Sequence, residues 1–464
     1  MVKKKITYLL DKYLTGESID YRQVFAIFIP ILVDQAFVVT MSILNTAMIG
    51  SAGVTAISAV NMVDSLNLFL LSIFIAVSTG GTVVVAQFKG NGDDKMVSRS
   101  AAGIIVAVTI LSALIGLLII LFHVPILNLL FGKAEAAVFE NARMYLIGSG
   151  ISYVSFGMYE AVVCSLRGVA DTKSSLMLSI IINVSYVLFN LVFINLLHMG
   201  VMGMSISVNL ARFIGMLCSI VYLLRFNHTL NIQLRDILSV NWNILKRMFS
   251  IGLPFAAEQM FFNGGKLLTQ TFIVQLGTYA LTVNAICNSL SSFVQIGAGA
   301  LSLSVITVVG QCLGRGNVSD ARKFLKSFLV MASITMVISN LIVLPLLPVI
   351  IPFFNPPEEI IPTITLIMYI AAFAQPFLWP ASFICPSALR AGGDSKYTSI
   401  ISMFSMWLFR VVLGYILGIV LHFGITGVWI AMMAEWIIRG AIFLHRFHGD
   451  KWHRHNLIGE GKVT

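Results

Sequence analysis

Thirty-two consecutive residues, Ala101 to Gly132, contain no Asp, Glu, Lys or Arg, and the windows Ser174 to Ala211 and Ser327 to Pro357 are equally free of them. Each exceeds the roughly 20 residues that carry a helix across the hydrocarbon core of a bilayer. In lipid every peptide N–H and C=O must be satisfied within the spanning structure, so only helices or closed barrels can cross. Barrel strands of about ten alternating residues are absent, which leaves helices. The composition agrees: 58% of the 464 residues are hydrophobic and 11% are charged, far from the balance of a soluble domain. The opening stretch, MVKKKITYLLDKYLTGESIDYR, is charged throughout and has no apolar core before a small-residue cleavage site. It reads as a poor signal peptide, with the N-terminus expected to stay in the cytoplasm.

Hydropathy and punctuation predict twelve spans, at 24–48, 56–88, 98–122, 137–167, 174–197, 202–226, 249–274, 279–312, 323–348, 361–388, 397–421 and 425–447. In this layout 25 of the 30 Lys and Arg fall on the N-terminal side, two (Lys133, Arg143) on the other and three (Arg212, Lys266, Arg410) within spans. That asymmetry orients both termini to the cytoplasm of a cell membrane and absorbs the net charge of +10 without a nucleic-acid partner. Five cysteines in no metal-like spacing read as packing residues.

The chain also repeats itself. PILVDQ at Pro30 to Gln35 matches PFAAEQ at Pro254 to Gln259, an offset of 224 residues. The same offset pairs Gly53 with Gly277, Gln87 with Gln311 and Gly92 with Gly316, while LRGVADTK (Leu166 to Lys173) answers LRAGGDSK (Leu389 to Lys396) at 223. Six spans per half give two like-oriented six-helix bundles, related by a pseudo-twofold along the membrane normal. The expected divisions are a cytoplasmic segment 1–23, an N-lobe 24–226, a cytoplasmic linker 227–248, a C-lobe 249–447 and a cytoplasmic tail 448–464.

No enzyme constellation is present. GGTVVVAQFKGNGDD and its copy GQCLGRGNVSDARK lack the ending of a phosphate loop; they read as tight cytoplasmic connections whose bases face lipid headgroups. The terminal HRFHGDKWHRH reads as a solvated basic tail rather than a metal site. Charges inside spans cost about 2.5–3.5 kcal/mol each on insertion scales, so every one needs a partner, a cavity or a function. Glu435 and Arg439, four apart, suit an ion pair. Glu160 is assigned a structural or local role beside Arg167, and Asp64 faces Asn288 in the repeat, as a cavity wall or as helix glue.

Asp34 and Glu258 occupy one repeated position. Two readings stay open: each holds its bundle together, or each faces a cleft where desolvation makes its protonation depend on which side water enters. Lys266 lies eight residues past Glu258, about 80° around and 12 Å along the helix. It must snorkel or meet an acid on another helix.

These residues resemble the multidrug and toxin extrusion (MATE) family over essentially the whole chain. The carriers are the doubled twelve-span layout, GQCLGRGNVSDARK with its copy AQFKGNGDDK, and the paired LRGVADTK and LRAGGDSK. The resemblance implies an antiporter that exports organic, often cationic, molecules against an inward flow of protons or sodium ions. Where many members have a first-helix Asp this chain has Asn45; Asn190 is kept in the fifth helix, the acid that follows it is replaced by Ile194, and Trp379 stands near a tenth-helix acid. Some members place a glutamate where this chain has Phe262.

The coupling candidates are Glu258 first, then Asp34, with Asn45, Asn190 and Asp64; Gln35, Gln259, Phe262, Lys266 and Asn288 are the substrate-cleft candidates. The function expected is an alternating-access antiporter for lipophilic, cationic compounds, monomeric, with no cofactor besides the coupling ion. Three bases against five acids within spans favour a cation over the anionic substrate of a lipid-linked oligosaccharide flippase. A channel or non-transporting receptor would need a filter or an extramembrane domain, and neither is visible.

Overall fold

The computed structural model describes residues 8, 10–50, 53–131, 135–227, 229–233, 236 and 241–455. Lys133 and parts of 1–23, 227–248 and 448–464 lie outside the described residues. Within them the chain forms twelve long helices and no strand: α1 (Tyr21–Gly50), α2 (Val54–Asn91), α3 (Asp94–Phe131), α4 (Ala136–Gly168), α5 (Thr172–Asn190), α6 (Gly200–Arg225), α7 (Trp242–Gln275), α8 (Thr278–Gly314), α9 (Val318–Ile350), α10 (Ile361–Ala391), α11 (Ser395–Ser405) and α12 (Gly424–His448). α5 continues as a π-helix over Leu191–Leu196, and α11 over Met406–Leu413 and Ile416–Val420. Counting these continuations, eleven of the twelve are long and apolar enough to cross a membrane. α7 matches them in length but carries Lys246, Arg247, Glu258 and Lys266.

Most helices overrun the predicted spans, because capping side chains outside the apolar core keep the first turns folded. Asp20 and Gln23 form a reciprocal capping box at the start of α1, with Gln23 N–H donating to Asp20 Oδ1 at 2.8 Å and Asp20 N–H to Gln23 Oε1 at 3.3 Å. Asp93 and Asn317, one repeat apart, cap α3 and α9 by accepting from Met96 N–H at 3.0 Å and Asp320 N–H at 2.9 Å. The stop expected near 122 does not occur: α3 bends at Phe122 (φ −108°, ψ 18°) ahead of Pro125 and continues.

The repeat is written into the backbone. Left-handed φ values recur in pairs: Gly53 and Gly277 (94° and 100°), Gly92 and Gly316 (76° and 77°), His198 and His422 (50° and 58°), Ala170 and Gly393 (67° and 91°). At Gly92 and Gly316 this conformation turns the chain sharply between two antiparallel helices, which a residue with a side chain adopts only under strain.

By compactness the chain forms two units, Met1–Phe28 with Ala257–Thr464, and Ile29–Ala256. Both divisions fall inside a helix, beside the repeated Pro30 and Pro254. In the first unit the N-terminal segment lies along α8 and α9. Ser18 N–H donates to Asp320 Oδ2 at 2.6 Å, Lys323 Nζ to Thr15 O at 2.6 Å and Ser327 Oγ to Tyr13 O at 2.6 Å, and Arg315 also donates to Ser18 O. The bases of the GQCLGRGNVSDARK connection therefore bind other parts of the chain, as Arg322 also does by donating to Asp450 Oδ1 at 2.6 Å. The tail up to His455 is pinned to the chain, although Lys451, Arg454 and His455 are themselves exposed. Trp452 is fully buried, with its ring 5.8 Å from that of Phe447, and His455 lies 3.4 Å from Asp394.

In the second unit the early turns of α7 cross α2 backbone to backbone. A Cβ at Gly252 would lie 2.8 Å from Val77 Cα, and one at Gly80 would lie 2.7 Å from Gly252 N. Such small-residue contacts hold membrane helices together where no hydrophobic effect acts between them. Gly252→Val should therefore destabilise the protein by about 1–3 kcal/mol, as overpacking does. The check is the melting temperature in detergent, and an unchanged value contradicts this packing.

Candidate functional site

The carboxylate on the first helix of each half meets an arginine at the end of that half's fourth helix. Arg167 Nη2 lies 2.9 Å from Asp34 Oδ2. Arg390 Nη2 lies 2.7 Å from both oxygens of Glu258, and Ser399 Oγ donates to Glu258 Oε2 at 3.0 Å. Both acids are buried. The next turn repeats the plan: Asp171, the cap of α5, accepts from Tyr222 OH at 2.8 Å, and its counterpart Asp394 accepts from Arg446 Nε at 2.7 Å. Tyr222 and Arg446 are 224 residues apart, so the acid, arginine, aspartate and final donor are all duplicated.

Sequence spacing suggested that Arg167 belongs with Glu160. The structure places Arg167 beside both acids: it pairs directly with Asp34, and Glu160, a charged neighbour of Arg167, accepts through Oε1 from the thiol of Cys164 at 3.3 Å. Glu435 meets Arg439 as the four-residue spacing predicts, at 2.8 Å, and also Arg410 at 2.6 Å. Arg167, Arg390 and Arg439 were counted with the N-terminal side, yet each turns its guanidinium onto a buried carboxylate. The excess of acids over bases that favoured a cationic substrate therefore disappears.

Asp64, on α2, is placed differently. Its Oδ1 accepts from Tyr145 OH at 3.0 Å and Asn67 Nδ2 at 3.1 Å, and among the described residues no Lys or Arg nitrogen lies within 4.0 Å of it. Asn67 is held by Tyr153 OH, which donates to its Oδ1 at 2.6 Å, and itself donates to Ser149 Oγ at 3.1 Å. The Tyr186 phenol lies beside both Tyr145 and Asn190. Asn190 Nδ2 in turn donates to Asn45 Oδ1 at 2.9 Å, while the carbonyl oxygen of Asn190 is buried without a hydrogen bond. A polar chain thus runs from Asp64 through two tyrosines to Asn190 and Asn45. Arg212 stands nearby, bonded to Ser152 Oγ at 2.6 Å and lying 4.9 Å from the Phe156 ring.

The remaining candidates separate. Asn288, the repeat partner of Asp64, is exposed and bonds within its own helix to Asn284. Gln35 and Gln259 are half-buried and make no side-chain hydrogen bond among the described residues. Trp379 is buried and stacks on Phe383 with centroids 4.6 Å apart. Lys266 has no acid within 4.0 Å among the described residues: it lies over the ring of Phe262, 4.9 Å from its centroid, with Arg410 and, on another helix, Glu435 as charged neighbours. Tyr145, Tyr186 and Arg390 were missed in the sequence, and Arg167 was read beside Glu160 but not as the partner of Asp34. Only the matching LRGVADTK and LRAGGDSK motifs could have drawn attention to the two arginines.

Removing one partner of a buried pair strands the other charge, at about 3–5 kcal/mol, whereas replacing both is far less costly. Arg390→Met should lower the melting temperature sharply, and Glu258→Met with Arg390→Met should restore most of the loss. A double variant as unstable as the single one contradicts the pairing.

A family model described as MatE matches residues 30–193 and 254–416, one copy in each half. The uncharacterized transporter YisQ of Bacillus subtilis is 26% identical over 435 residues, covering 91% of this chain and 93% of the relative. The probable multidrug resistance protein NorM of Thermotoga maritima is 25% identical over 468 residues, covering 98% of each. A crystal structure of MATE in the straight conformation superposes with a TM-score of 0.83 at 17% identity, over 92% of this chain and 95% of that one, and shows a shared fold. With both repeats matched and the doubled helical plan observed, the chain belongs to the MatE family: it is a multi-pass membrane transporter and not an enzyme.

Proposed function

We propose that this protein is a secondary-active antiporter that exports small organic molecules by alternating access in exchange for protons or sodium ions, and that Asp64 is the acid through which it couples. The observation that carries this is the contrast in partners: Asp34, Glu258 and Glu435 each pair with an arginine and Glu160 has Arg167 as a charged neighbour, whereas the hydrogen-bond donors to Asp64 are the neutral groups Tyr145 and Asn67, with Arg212 near but not paired to it. An acid fixed by an arginine gains little by taking up a second cation. An acid held by neutral donors can exchange a proton, or bind sodium with help from carbonyl oxygens.

Asn45 and Asn190 supply such oxygens, and that of Asn190 is buried without a hydrogen bond. In this reading Asp34 and Glu258 hold their bundles, and the coupling acid of the N-half has moved from α1 to α2. Names among the relatives, such as NorM of Thermotoga maritima, support drug-like cargo. Phe and Met side chains supply an adaptable lining for the apolar bodies of such molecules. Both termini are taken to face the cytoplasm of the cell membrane, where the basic residues concentrate. The transport unit is taken as the monomer.

The test is uptake of ethidium, rhodamine 6G and fluorescein into everted membrane vesicles with an acidic or a sodium-loaded lumen. At least one dye should accumulate in response to one gradient. Asp64→Asn should abolish that accumulation while downhill exchange of the dye persists, and Asp34→Asn should retain the response. If neither gradient drives any dye, the antiporter reading fails; full gradient-driven uptake by Asp64→Asn removes Asp64 from the mechanism.

A further inference from the structure

Three cations converge on one ring in the C-half. Lys266 Nζ, the Arg410 guanidinium and the Arg439 guanidinium lie 4.9, 5.3 and 6.0 Å from the centroid of Phe262. Glu435 meets two of them, at 2.6 Å from Arg410 Nε and 2.8 Å from Arg439 Nη1. One carboxylate among three bases leaves two positive charges in excess, in a place where each charge is costly.

The excess does not serve the scaffold. At the 224-residue offset Lys266, Arg410, Glu435 and Arg439 correspond to Ser42, Tyr186, Ala211 and Gly215, so the same six-helix plan folds in the N-half without these charges. Nor is the excess neutralised within the chain. Among the described residues no acid lies within 4.0 Å of Lys266, an exposed residue whose acidic neighbour, Glu435, is already paired with Arg410 and Arg439. Arg439 is 2% exposed and donates from Nε to Ser382 Oγ at 2.6 Å, yet its Nη2 is buried with no acceptor. A buried guanidinium nitrogen without an acceptor is costly unless something else supplies one. Aromatic surface adjoins the charges: Arg439 lies 4.3 Å from the centroid of Phe383, which stacks on Trp379.

We propose that Lys266, Arg410 and Arg439 form a subsite for the acidic group of an organic anion, with the aromatic faces taking the flat body of the same molecule. A guanidinium fork beside a mobile ammonium suits the oxygens of a carboxylate, sulfonate or phosphate, and the excess of two positive charges selects against a cation. That this anion is cargo rests on the antiporter reading; that it binds does not.

The test uses the purified full-length protein in detergent and two xanthene dyes of opposite charge, fluorescein and rhodamine 6G, followed by fluorescence anisotropy. Fluorescein should bind saturably and more tightly than rhodamine 6G. Lys266→Gln should weaken fluorescein by about tenfold or more, the scale of one charged hydrogen bond, and Lys266→Arg should keep most of the affinity. The proposal is overturned if wild type does not bind fluorescein saturably, if it prefers rhodamine 6G, or if Lys266→Gln binds fluorescein as wild type does. The wild-type preference between the dyes decides the matter alone if Lys266→Gln does not fold. Binding in detergent needs no gradient: failure here with driven uptake intact removes the anion subsite alone, and fluorescein binding without driven uptake of any dye removes the antiporter reading alone.

Discussion

A carboxylate on the first helix of each half, buried and neutralised by an arginine from the end of the fourth, is the interaction on which the rest of the arrangement depends. Asp34 with Arg167 and Glu258 with Arg390 do the same work in two copies. In a low-dielectric interior neither member is tolerable alone, so each pair ties two helices that are distant in sequence. The pairing also removes these acids from competition for other cations. Once they are accounted for, the polar groups left over differ between the halves, and the difference is where function can reside.

In the N-half two acids remain: Glu160 lies near Arg167, and Asp64 sits among tyrosines and asparagines. In the C-half the remaining charges are positive and gather on the ring of Phe262. In the proposed antiporter a duplicated scaffold is filled with opposite chemistry, Asp64 taking a small cation in one half and the Lys266 cluster an organic acid in the other. For an antiporter this separates the two cargoes by charge without asking one pocket to hold both.

Much of the fold was legible in the sequence. Uncharged windows gave the helices, and the 224-residue offset gave the doubling, down to glycines whose left-handed turns recur in pairs. Local spacing also found the Glu435–Arg439 pair, because four residues return to the same helix face. It found only part of the setting of Arg167: Glu160, seven residues away, is a charged neighbour, but the direct pair is with Asp34, 133 positions away. Nothing local in a sequence encodes such a meeting. For the same reason a count of charges within spans misjudged the balance: Arg167 and Arg390, at helix ends, reach inward along their flexible stems, and Arg439 lies inside α12. Lys266 looked anomalous from the start, and its setting became visible only when α7, α11 and α12 were seen together.

The central claim is that Asp64, and not the paired Asp34 or Glu258, changes its protonation or ion-binding state. Infrared difference spectroscopy on the purified protein, recorded across a pH jump and again across a sodium jump, reads carboxyl groups directly. The account predicts a carboxyl signal that disappears in Asp64→Asn and persists in Asp34→Asn and Glu258→Gln. A signal that survives Asp64→Asn and is lost in Glu258→Gln contradicts it.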